Sequence, residues 1–85
     1  MKHPPLAETA RIETLIANLN RSVELLNVDI DNEEERARVK DVSDPAYPIM
    51  ARQLRARRDN LNVTIAALRQ RLEASEAMIE ERLAG

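Results

Sequence analysis

No cysteine, phenylalanine or tryptophan occurs in this chain, and tyrosine, histidine and glycine occur once each. Each shortage closes something off. Without cysteine there is no disulfide framework, no thiolate metal site and no thiol nucleophile. Without phenylalanine or tryptophan, the buried area that aromatic rings usually supply must come from Leu, Ile, Val and Ala. The lone histidine, His3, lies beside Met1, so Ser22, Ser43 and Ser75 have no base at a usable place. A glycine-rich phosphate loop is absent as well. No apolar run approaches the roughly 18 residues that cross a bilayer. Met1-Lys2-His3-Pro4-Pro5 has no apolar stretch behind it of the kind a secretory leader carries. The expectation is a soluble, cytoplasmic protein that is not an enzyme, with no catalytic residue, cofactor or metal and no membrane partner.

Charge of one sign is also lacking. Thirteen basic residues stand against fifteen acidic ones, a net of −2. That balance gives no bulk attraction to nucleic acid or to a membrane. Asp29-Ile30-Asp31-Asn32-Glu33 resembles the opening of a calcium loop, but such a loop needs glycine at its sixth place and glutamate at its twelfth. Glu34 and Lys40 stand there instead.

What the chain does have is two long stretches free of glycine and proline. In the first, Ile12, Ile16, Leu19, Val23, Leu26 and Ile30 follow spacings of four and three, the heptad pattern of one apolar helix face. Glu33 interrupts it. In the second, Leu54, Leu61, Ile65, Leu68, Leu72 and Ile79 repeat the pattern, with Arg58, Ser75 and Arg82 as interruptions. Between them lie Asp44-Pro45 and Tyr47-Pro48, two steps that push the residue before each proline away from helical geometry. Ser43 and Asp44 suit an N-cap, with Pro45 behind them in a first turn. The reading is one all-α domain over 1–85: helix 1 over about 6–40, a loop over about 41–47 and helix 2 over about 48–84. Gly85 suits a helix terminator. The fold class is an antiparallel two-helix hairpin, coiled-coil-like.

Two helices leave one face of each wet, and chains of this size are marginal even when compact. A homodimer forming a four-helix bundle is the expected remedy. Apolar and small residues off the seam mark a candidate interaction surface: Leu25 and Val28 on helix 1, and Ile49, Ala56, Val63, Ala67, Ala74 and Ala77 on helix 2. Alanine is also the best helix former, so the alanines alone do not establish contact. Asn20, Asn27 and Asn62 flank the seams and suit hydrogen bonds that set partner geometry.

The charges are segregated. Residues 1–44 carry six basic and ten acidic side chains, whereas residues 45–85 carry seven and five. Folding about residue 44 brings Asp31 opposite Arg57 and Ile30 opposite Arg58, so the acidic block meets the basic one. Glu33 is expected to reach Arg55 or Arg58 and to hold register, since a slipped alignment would set charge against leucine. The same arginines, Arg52, Arg55, Arg57 and Arg58, form an excess that suits phosphate contact. Neutralising the acidic block is the favoured use, and no aromatic residue is interleaved for base stacking. The leading functional reading is a non-enzymatic protein–protein interaction module: a small scaffold, adaptor or chaperone-like subunit acting through helix–helix packing. The alternative is a nucleic-acid-binding accessory protein using the Arg52–Arg58 cluster.

Overall fold

The first helix, α1, runs from Pro5 to Ala37, 33 residues. Proline suits its opening because an N–H there has no helical partner, and Glu8 in the first turn complements the positive end of the dipole. The second, α2, runs from Ile49 to Ala84, 36 residues. Both come from a computed structural model that describes residues 5–84. His3, Pro4 and Gly85, which the sequence reading used, lie outside the described residues. Ser22 and Thr64 sit in helix interiors by bonding their hydroxyls back to the carbonyls of Asn18 and Asn60, four residues earlier.

The helices pack against each other as a two-helix hairpin, a rod of 59 × 20 × 17 Å. Every described element is helical. The apolar stripes face inward because burying them removes the largest continuous apolar area either helix has. Toward the ends of the rod away from the bend, Ile12, Ile16 and Ile65 are buried, with Leu19, Val23, Leu68 and Leu72 packed on them. Near the bend, Ile30, Tyr47 and Ala51 are buried. Leu26, Leu54, Leu61 and Ile79 are half-buried along the same line.

Helix 1 stops three residues before the expected 40, and the backbone shows why. The Val39 N–H donates to the Glu34 carbonyl and the Arg38 N–H to the Glu35 carbonyl, both at 3.2 Å. Arg38 between them has a left-handed φ of 56°. This pair of bonds around one left-handed residue is a Schellman motif, which satisfies carbonyls left open at a helix end. Glycine usually occupies that place, so its arginine gives no warning in the sequence.

The connection then folds tightly. Asp41 accepts from both the N–H and the hydroxyl of Ser43, and these bonds hold its carboxyl below the usual carboxylate range, the hydroxyl contributing most. The Asp44 N–H donates to the Asp41 carbonyl and the Tyr47 N–H to the Asp44 carbonyl, at 3.1 and 2.9 Å. Asp44 Oδ1 accepts from the Ala46 N–H at 2.8 Å, an Asx turn of the kind these side chains favour. Pro48 immediately precedes α2, and its carbonyl accepts the Arg52 N–H at 3.1 Å.

Candidate interaction surface

Three side chains from three parts of the chain meet at the bend. Tyr47 Oη donates to Glu34 Oε2 at 2.7 Å. Arg55 Nε donates to the same Tyr47 oxygen at 2.7 Å, and Arg55 Nη2 donates to Glu34 Oε2 at 3.1 Å. The three groups close a ring in which every bond involves a charged partner, the stronger class of hydrogen bond. Glu34 is only 6 % exposed. A buried carboxylate is costly unless bonded, and here it is bonded twice. The tyrosine bond, followed by the arginine bond, holds the Glu34 carboxyl below its ordinary value. Burial, reinforced by Glu34 as acceptor, holds the Tyr47 phenol above its own. Arg55, bonded to both, is pushed further toward permanent charge. The Arg52 and Arg55 guanidiniums lie 5.3 and 5.8 Å from the ring centroid of Tyr47, within cation–π range.

This arrangement differs from the expected pair. Glu33 does not reach Arg55 or Arg58; it lies 3.4 Å from Arg36 on its own helix. Arg55 takes the neighbouring Glu34. A one-residue step turns a helical side chain by about 100°, and Tyr47 reaches the side of α1 on which Glu34 stands. Arg58 bonds Asn27 across the seam at 3.0 Å and Asp59 beside it at 3.1–3.2 Å. Asn27 thus bridges the two helices of one chain, a use different from the partner geometry expected of it. Tyr47 is the residue of this clamp that the sequence reading did not single out; being the one aromatic side chain of the chain was its only signal.

The arginine cluster is largely engaged within the hairpin. Arg52 donates to the Val42 carbonyl at 3.0 Å, while Arg55 and Arg58 are bonded as described. Arg57 is exposed and, among the described residues, in no side-chain hydrogen bond or ion pair.

The off-seam residues stand outward. Leu25, Val28, Ile49, Ala56, Val63, Ala67, Ala74 and Ala77 are all exposed. Leu25 borders a shallow depression of about 290 Å³ with Leu26, Leu61, Ser22, Asp29 and Arg57. A second depression of about 290 Å³ lies nearer the bend, between Met50, Leu54 and Asp29, Asn32, Glu33 and Arg36. Asp29 belongs to both, so the two form one groove along a single flank of the hairpin. Val28, Ile49, Val63 and the four alanines lie outside it. Among the described residues no helix is long and apolar enough to cross a membrane. No protein-family model matches this chain, and no curated protein or solved structure shows significant similarity to it.

Proposed function

We propose that this chain is a non-enzymatic protein–protein interaction module, a small scaffold, adaptor or chaperone-like subunit that works by packing helix on helix. Its first partner is a second copy of itself, in a four-helix bundle. One observation carries the reading: among the described residues six apolar side chains are buried while nine large ones stay exposed. Single exposed apolar residues are ordinary, but Leu25 and Met50 stand exposed beside the half-buried Leu26, Leu54 and Leu61 along one groove, a contiguous apolar flank of the kind a partner covers. Packing two hairpins together buries such faces without new chemistry, as bundles do. A cytoplasmic location belongs to the same proposal, and cell fractionation tests it.

The phosphate-binding alternative has less to stand on, because Arg52, Arg55 and Arg58 are engaged inside the hairpin. Sedimentation equilibrium on the purified chain tests the main reading. The expected species has twice the 9.7 kDa chain mass. A fully helical monomer across the concentration range would overturn self-association.

A further inference from the structure

Near the bend the two flanks of the hairpin differ in kind, while farther along the rod Glu8 and Arg71, at the heptad positions of Asp29 and Arg57, approach to 3.5 Å across the seam. One is bridged across the seam by Arg55 to Glu34 and by Arg58 to Asn27. The other is the open groove, where Leu25 is 61 % and Met50 53 % exposed. On that open flank Asp29 projects from α1 and Arg57 from α2, both bordering the same depression. Neither takes part in an ion pair or side-chain hydrogen bond among the described residues, although their charges are opposite. Acid on one helix and base on the other, at one height along the rod, is a self-complementary pattern.

We propose that the groove flank receives the second copy with the two bends at the same end, about a two-fold axis parallel to the rods. The inference rests on the self-association proposed above and specifies its surface and orientation. In a two-fold dimer a patch meets its own copy. An axis parallel to the rods sets α1 of one protomer on α2 of the other at the same height. Asp29 then faces Arg57 of the partner subunit, twice per dimer, and Leu25 and Met50 are covered. An axis across the rods sets each helix on its own counterpart, α1 with its carboxylates against α1, and forfeits that match. Complementary charge of this sort selects orientation more than it adds affinity. The size also suits: covering most of one flank of a rod 59 Å long and 20 Å wide buries on the order of 800 Å² per protomer, typical of a stable interface.

Charge reversal with mixing tests this. Asp29→Arg and Arg57→Asp are exposed changes, and each alone sets like charges together at both contacts. Each is expected to weaken the dimer by about tenfold or more with unchanged helical circular dichroism. Mixing the two variants restores opposite charges at both contacts, so a one-to-one heterodimer is expected, which a contact within one chain cannot imitate. Independently, spin labels at Ala46→Cys in the otherwise unaltered chain are expected far closer together than the 59 Å rod length. A monomeric unaltered chain would overturn the self-association reading itself. A dimer indifferent to both reversals but dissociated by Val28→Glu or Val63→Glu would overturn the flank alone. Labels separated by about the rod length would overturn the orientation alone.

Discussion

Tyr47 Oη donates its proton to Glu34 Oε2 at 2.7 Å, and through that bond the connection is fastened to the last turn of α1. Arg55, from the second turn of α2, donates to both atoms. The bend is therefore held by one residue from each helix and one from the loop. This clamp, with Ile30 and Ala51 beside it among the buried residues, gives the loop end of the rod a core of its own.

Removing the phenol isolates its share. Tyr47→Phe keeps the ring under Arg52 and Arg55 but removes one donor and one acceptor. The expected loss is about 1 kcal/mol in urea unfolding, with helical content retained. Tyr47→Ala, which also removes the buried ring, is expected to cost about 3 kcal/mol or more.

The clamp sets a pH window. The Glu34 carboxyl is held below its ordinary value, so its contribution is present above the usual glutamate range and is lost as pH falls through the lowered value. Asp41 acts in the same direction through its bonds to Ser43. The Tyr47 phenol is held above its ordinary value, so its contribution is complete below about pH 10 and is lost as pH rises through the raised value. Unfolding free energy measured across pH is expected to fall on both sides. Glu34→Gln flattens the acid side more than Asp41→Asn does, and Tyr47→Phe flattens the alkaline side.

Adjacent glutamates are expected to behave differently. Among the described residues Glu33 pairs only with Arg36, whose side chain is mostly in water, and Glu33→Gln should change stability by no more than about 0.5 kcal/mol. Glu34→Ala strips Tyr47 and Arg55 of their shared acceptor. Its melting midpoint should fall clearly further than that of Glu33→Gln under the same conditions. Equal midpoints would mean that the clamp does not hold the bend.

Arg38 carries a left-handed φ of 56° with a Cβ that this region disfavours. Arg38→Gly keeps the Schellman bonds and removes the clash. A gain of about 1 kcal/mol is expected, a rise of about 5 °C in midpoint for a domain of this size. Arg38→Ala retains the Cβ and should bring no such rise.

Ile30 is 2 % exposed and, among the described residues, is the largest fully buried side chain. Ile30→Ala is expected to cost about 2–4 kcal/mol, a large part of the stability a chain this short can hold. Val28→Ala, two residues away and exposed, should stay within about 0.5 kcal/mol in the same assay.

The rods were legible because helical periodicity is written in local spacing. Ile12, Ile16, Leu19 and Val23 recur at four and three, and the absence of glycine and proline lets each rod run on. The two X-Pro steps marked the break between them. The end of α1 was not legible, since an arginine adopts the conformation that a glycine would have announced. Nor was Glu34: set between Glu33 and Glu35, it reads as part of a solvated run. Its burial comes from Tyr47, thirteen residues later, turning in from the loop.

From its sequence alone this chain was bound to form two amphipathic helices separated by a bend, because apolar spacing and proline act on neighbouring residues wherever the chain goes. Only the tertiary structure decided that Glu34 rather than Glu33 meets Arg55, and that near the bend one flank is bridged while the other lies open. Those outcomes depend on where a chain of small turns aims one phenol, and on which sides of two helices then face each other. No interval along the sequence records such directions.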